Sequence, residues 1–362
     1  MRIRTAALVL ALWVMAACGG GGDSLWAAPE STTTTAPAGT SETTLPPTST
    51  SAPVTSTLPP MSTLPPVSPD GPACNPAPGG RIAYQHQSTD AAGTPVWSIR
   101  VVGADGTDLG TVLQATDGDY PFVKQPAWSP DGTRLAVLLN SLDAGSTIAI
   151  LHCDGTVELA MPYLLIRTPS PVNLWIASPQ FPNWSADGSR IAFVSSDGLF
   201  VVDPANSGLP FSLGLEGTPV PGRANWSPDG ASLVVALDLG GRLDIYLVPI
   251  DGRAPVRLTD DPAADYQPAL SPDGSSIAFR RGEEGGRIWL MAADGSNQRP
   301  LTREGTEAYQ PAWSPDGTEI VYVAGDPSIT RLRVIGIDGA GDRPLTPAGA
   351  VGEAEGWPSW TG

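Results

Sequence analysis

The chain has 362 residues, with 37 acidic side chains against 20 basic ones and a formal net charge of −17. That balance excludes a nucleic-acid partner, since no basic stripe is available to neutralise phosphates, and it argues equally against electrostatic docking on anionic lipid. With 41 Gly and 39 Pro, the composition is that of hairpins and turns rather than long helices.

In chain order, the first element is a targeting segment. Arg2 and Arg4 precede the apolar stretch Ala6–Ala17, which is shorter than the roughly 20 residues a spanning helix needs and reads as a secretory signal over residues 1–17. It ends in Met15-Ala16-Ala17-Cys18, which resembles a bacterial lipobox with Met where Leu is usual. The expectation is lipidation at Cys18, with simple secretion or an uncleaved anchor as the alternatives. The acyl chains would be the only membrane attachment.

Residues 18–73 read as a tether: Gly19–Gly22, then a Ser/Thr/Pro tract from Ser31 to Pro69 with Leu-Pro-Pro at Leu45, Leu58 and Leu64. This composition buries no core and favours extended, polyproline-like backbone, reaching on the order of 100 Å at about 3 Å per residue. A bare spacer and an O-glycosylated stalk both fit. Of the 20 basic residues only Lys124 is lysine, a bias of high-GC bacteria that, with the lipobox and stalk, suggests an actinobacterial envelope protein.

From residue 74 to 362 the sequence repeats. Trp/Leu-Ser-Pro-Asp-Gly occurs at Trp128–Gly132, Trp226–Gly230, Leu270–Gly274 and Trp313–Gly317, and Trp-Ser-Ala-Asp-Gly at Trp184–Gly188, with steps of 56, 42, 44 and 43 residues. Pro presets φ and Gly supplies a positive φ, the requirements of a tight hairpin turn. Each motif leads into a short apolar run such as Arg134–Leu139, Arg190–Val194 or Ser276–Phe279, then a third run, and in three copies a closing Leu-Thr at Arg257–Thr259, Pro300–Thr302 and Pro344–Thr346. Runs this short read as strands. A period of about 43 residues is that of one four-stranded propeller blade, stable only when stacked on its neighbours.

The ends fix the number of blades. Arg81–Tyr84 and Trp97–Val102 match the second and third strands of a unit that lacks a first; Trp357-Pro-Ser-Trp360-Thr-Gly362 matches a first strand with nothing after it. The expectation is an all-β, six-bladed propeller of four-stranded blades, closed by pairing the C-terminal strand with Arg81–Gln85.

The pattern Pro-x-Trp-Ser-Pro-Asp-Gly-x-x-Ile-Ala-Phe, with the later Asp-Gly and Arg-x-Leu-Thr, resembles the WD40-like PD40 repeat of the TolB C-terminal propeller, also found in propellers of prolyl oligopeptidase-type peptidases. The resemblance covers roughly residues 75–362 and implies the fold far more than an activity. TolB's own N-terminal domain has no counterpart, since residues 24–73 are low-complexity.

Candidate chemistry is sparse. His86 and His152 are the only histidines, so zinc motifs are absent, as are a Gly-x-Ser-x-Gly elbow and a phosphate-binding loop. No cofactor and no metal site are expected, and the repeated Asp-Gly pairs read as turn chemistry rather than calcium ligands. Cys74 and Cys153 fall on the turn face of neighbouring blades; a disulfide and two separate thiols are both compatible. Registering the repeats on the motif aromatic puts Gln125, Phe181, Arg223, Gln267, Gln310 and Trp357 in one ring, preceded by Lys124, Gln180, Tyr266 and Tyr309. Loop packing is one reading of these side chains; a binding mouth around the central channel is the other. The long first step leaves an excess near Arg167–Gln180 with Trp175 as a candidate anchor. The expected function is a monomeric, noncatalytic lipoprotein on the outer face of the cell membrane, binding an envelope protein or peptide. The alternatives are a carbohydrate-directed protein, either a lectin-like binder of cell-wall glycan or a lyase-like propeller acting on polysaccharide, and a structural or sensory spacer.

Overall fold

The computed structural model describes residues 77–115, 121–141, 145–160, 179–206, 210–215, 218–219, 222–325, 329–347 and 353–362. The targeting segment with Cys18, the tether, Cys74 and Trp175 lie outside these. The described residues form six antiparallel sheets arranged as blades. Blade 1 joins Ala354–Thr361 to Arg81–Thr89, Pro95–Gly103 and Asp108–Gln114; blade 2 runs Phe122–Trp128, Arg134–Ser141, Gly145–His152 and Val157–Leu159. The motif-bearing inner strands of blades 3 to 6 are Gln180–Trp184, Asn225–Trp226, Asp265–Leu270 and Ala308–Trp313. The first strand of every blade touches the first strand of the next, and the last touches the one from the C-terminus, so these six strands line the axis.

Closure is by the expected clasp. The C-terminal strand pairs antiparallel with blade 1, placing Thr361 opposite Arg81, Trp360 opposite Ile82 and Glu355 opposite His86. Trp360 Nε1 donates to Gly79 O at 3.0 Å. Gly80 is obligatory here: at φ 95° it lies so close to the clasp that a Cβ would overlap the Thr361 carbonyl oxygen. Thr330 Oγ1 and the Glu355 backbone exchange hydrogen bonds at 2.6 and 2.8 Å, fastening the clasp to blade 6.

The Ser-Pro-Asp-Gly copies are turns with shared wiring. In blade 2, Ser129 Oγ donates to Asp131 Oδ1 at 2.5 Å, the same oxygen accepts Thr133 N–H at 3.0 Å, and Gly132 N–H closes on Ser129 O at 2.9 Å. The same Ser-to-Asp bond recurs in blades 3 to 6. These donors hold the aspartates below the usual carboxylate range, at about 2 for Asp187 and Asp273.

Between blades the motif tryptophan acts as a wedge. Trp184 Nε1 donates to Ala127 O at 3.1 Å, Trp226 Nε1 to Asn183 O at 3.2 Å and Trp313 Nε1 to Ala269 O at 2.9 Å, each reaching the inner strand of the preceding blade. At three interfaces an arginine that opens the preceding blade's second strand lies over the ring: Arg81 on Trp128 at 4.8 Å, Arg134 on Trp184 at 4.3 Å and Arg190 on Trp226 at 5.1 Å. Arg81 and Arg134 also donate to the Gly132 and Gly188 carbonyls at 2.8 and 2.9 Å.

Two details depart from the simplest repeat. Blade 4's inner edge pairs with Ser232–Asp238 through two short pieces, Thr218–Pro219 and Asn225–Trp226. The outer strands Val256–Arg257, Arg299–Pro300 and Arg343–Pro344 end before Leu-Thr. There the threonine side chain takes over: Oγ1 of Thr259, Thr302 and Thr346 accepts the N–H of Ile245, Ile288 and Leu332 at 2.9, 3.1 and 3.2 Å.

Candidate functional site

Around the axis, the inner strands share a bulge three residues before the motif aromatic. The residues at that point have left-handed backbone although none is glycine: Gln125 (φ 55°), Phe181 (56°), Gln267 (50°), Gln310 (54°) and Trp357 (54°). Strand register slips there in blades 2, 3, 5 and 6 and at the clasp. Such backbone costs on the order of 1 kcal/mol per residue and persists only where the surroundings enforce it. The enforcement is a relay between blades. Gln125 Oε1 accepts Phe181 N–H at 2.7 Å, Gln267 Oε1 accepts Gln310 N–H at 3.0 Å, and Gln310 Oε1 accepts Trp357 N–H at 2.6 Å.

Arg223 completes the ring differently. From blade 4 its guanidinium crosses the axis and donates to Pro358 O at 2.5 Å and Trp357 O at 2.9 Å on blade 1, and to Pro126 O on blade 2. Beside it Phe181 and Trp357 meet with ring centroids 4.4 Å apart, both buried. The residue keeps partial exposure, but its guanidinium is desolvated, which pulls it down to about 10; it remains charged at neutral pH. Its Nε has no hydrogen-bond partner, and no carboxylate pairs with it among the described residues.

These contacts bridge the axis at the bulge level. On the motif-turn side of that bridge lies a cavity of about 160 Å³, reaching from Arg223, Gln267, Gln310 and Trp357 past Asn183, Asn225 and Ser359 to Trp313, Trp360 and the exposed Pro272. Asn225 Nδ2 donates to Pro268 O at 2.6 Å and to Arg223 O at 3.1 Å, Asn183 Nδ2 to Ala224 O at 3.1 Å, and Ser359 Oγ accepts Trp128 N–H at 3.0 Å.

On the opposite, loop-bearing side, the other expected mouth residues are drawn into local clusters. Lys124 lies over Trp97 at 4.3 Å and Phe122 at 4.9 Å. Tyr266 donates its hydroxyl to Glu283 at 3.0 Å and Tyr309 to Glu307 at 2.8 Å, while the buried Arg280 stands over both rings at 5.5 and 4.6 Å. Burial and the Glu283 carboxylate push the Tyr266 hydroxyl well up from its ordinary value. The six ring residues thus come together as expected, whereas Lys124 and the two tyrosines belong to separate clusters. Sequence reasoning missed Asn183, Asn225 and Ser359, one residue before the motif aromatic, where blades 2, 5 and 6 carry Ala127, Ala269 and Ala312. That contrast was readable in the repeats.

The family profile of the PD40 TolB β-propeller domain matches residues 176–361. The chain belongs to the TolB β-propeller family. TolB from Acinetobacter baumannii is similar with a TM-score of 0.61 at 22% identity, over 78% of this chain and 67% of that one. The putative TolB from Agrobacterium tumefaciens reaches 0.54 at 21% identity, covering 78% of this chain and 98% of its own. At such identities the likeness is one of fold. The uncharacterized peptidase YuxL of Bacillus subtilis is 30% identical over 114 residues, 28% of this chain, and the match spans only 17% of that relative's length.

Within this TolB-like propeller, no group of three or more His, Cys, Asp or Glu is placed to hold a metal among the described residues. His86 is partly buried, which lowers its pKa from the ordinary value, and His152 lies 3.5 Å from Glu158 on the next strand of blade 2. Cys153 is half-buried in the turn between the third and fourth strands of blade 2.

Proposed function

We propose that this chain is an exported, lipid-anchored envelope protein whose noncatalytic propeller binds a protein or peptide partner at the axial channel. The observation that carries the reading is the axial cavity, where indole rings and unspent amide donors converge on one concave surface, the mixture that peptide recognition uses. Arg223 and Trp357 stand at its inner end, and its size suits a chain end or a protruding side chain.

Affinity capture from envelope extracts tests it, with wild type beside a loop-face variant, Tyr266→Ala with Tyr309→Ala, and a cavity variant, Trp360→Ala. A specific partner held by wild type and lost with Trp360→Ala supports the reading. Retention by both variants, or binding to wall glycan in its place, refutes it. Palmitate labelling that is abolished by Cys18→Ser tests the anchor, and labelling unchanged by that substitution would remove it.

A further inference from the structure

The cavity has a chemical bias that the rest of the surface lacks. The chain carries 37 carboxylates, yet none lines this space. What lines it is donor-rich. A backbone N–H can be met only by the oxygen of a glutamine amide, so the bonds to Gln310 N and Trp357 N fix the orientation of Gln267 and Gln310. Their Nε2 groups are therefore left as donors, and neither makes a further hydrogen bond to a described residue. Ser359 Oγ accepts from Trp128 N and keeps its own proton to give. Arg223 adds a full positive charge held off water, with three neutral carbonyls and no counter-ion. A desolvated cation without an anion is expensive, and the field around it stays unscreened.

We propose that this cavity is a carboxylate-binding site, in which Arg223, Gln267, Gln310 and Ser359 receive one carboxylate of a small acid or of a partner polypeptide. The proposal deepens the partner-binding reading above and rests on it for the polypeptide source alone. Size agrees: about 160 Å³ is close to the roughly 150 Å³ that admits a benzene ring in an engineered apolar cavity, so an acidic side chain or a chain terminus fits. The lining also selects by sign, since a cation would meet Arg223 and an apolar group would strand the amide donors.

Gln267→Glu gives a discriminating variant. It keeps the oxygen that accepts Gln310 N–H and puts a carboxylate into the lining that Gln267 shares with Arg223. Side-chain amide and guanidinium resonances of the ¹⁵N-labelled chain are followed during titration with acetate and with the neutral isostere acetamide. Saturable shifts with acetate and none with acetamide are expected, with acetate affinity at least tenfold weaker in Gln267→Glu and its melting temperature unchanged or higher. Equal response to both ligands, no saturable response in wild type, or undiminished acetate binding in Gln267→Glu overturns the site. Acidic peptides with a free or an amidated C-terminus, competing against acetate, separate a chain terminus from a side chain as the source. Partner capture without an acetate response sinks this inference alone; an acetate response without any captured partner sinks the proposed function alone.

Discussion

The arginine-on-tryptophan bracket between blades is open to a quantitative test. Arg134→Met keeps most of the aliphatic stem and deletes the charge; Trp184→Leu keeps an apolar wedge and deletes the ring. Trp184 is only 4% exposed, its ring lies 4.3 Å from the Arg134 guanidinium, and its Nε1 donates to Ala127 O. Losing that hydrogen bond and part of the buried ring should cost about 3 kcal/mol in the single Trp184→Leu variant. Arg134→Met loses the cation–π contact and the bond to Gly188 O, together about 2 kcal/mol. Only the cation–π part is shared, so the double variant should fall short of the sum by about 1–2 kcal/mol, the range for a partly desolvated pair. Urea denaturation followed by circular dichroism at constant m-value measures all four corners of the cycle. A coupling below about 0.3 kcal/mol, the usual scatter of additivity, would show that Arg134 merely covers the ring. Blade 5 offers the converse. Ser276 stands at the arginine position facing Trp313, and Ser276→Arg should add about 0.5–1 kcal/mol by the same reasoning.

Three further outcomes follow from buried polar contacts. Asp265 is fully buried and holds Arg281 through two bonds of 2.7 and 2.8 Å; Asp265→Ala should cost about 3 kcal/mol, the low end for a broken buried pair because Gln298 and Asp261 still reach the guanidinium, and a urea midpoint unchanged from wild type would contradict this. Gln310→Leu leaves the Trp357 N–H unsatisfied and should cost about 1–3 kcal/mol, with Gln310→Glu, which keeps the acceptor, largely spared. Burial raises the Glu355 carboxyl above its ordinary value despite bonds from Leu332 N and Thr346 Oγ1. A pKa higher in the folded than in the unfolded chain gives a contribution that is complete below about 4.5 and is lost as pH rises through the folded value. The stability of Gln310-intact Glu355→Gln relative to wild type should therefore climb with pH from about 4.5 upward and then level off; a flat difference across that range would exclude the buried, proton-retaining carboxyl.

The fold was legible because each blade repeats its punctuation. Ser-Pro-Asp-Gly names a turn by its own chemistry, and the orphan first strand at Trp357–Thr361 could pair only with the blade that lacked one. The outer strands were less legible. Arg257-Leu258-Thr259 reads as a strand, yet the backbone ladder ends with Leu258 N–H on Ile245 O, and the Thr259 hydroxyl satisfies the Ile245 N–H that a longer fourth strand would have served. Blade 4 was harder again, since its inner edge pairs through two short pieces, Thr218–Pro219 and Asn225–Trp226.

For the site, register alone gathered the right ring but not its role. Gln125, Gln267 and Gln310 look like free amides in a sequence; their oxygens are spent on the next blade's backbone, a consequence of left-handed bulges that no residue type announces. Arg223 is the informative exception. Three blades answer the bulge with glutamine, which is neutral and satisfies a neighbour, whereas blade 4 spends an arginine whose charge reaches across the axis and finds only carbonyls. A neutral amide in that place, with two N–H bonds, would serve two of the three carbonyls and bring no charge. Retaining a desolvated charge beside a cavity with no carboxylate is the costlier solution, and it is explained when the missing anion arrives from outside.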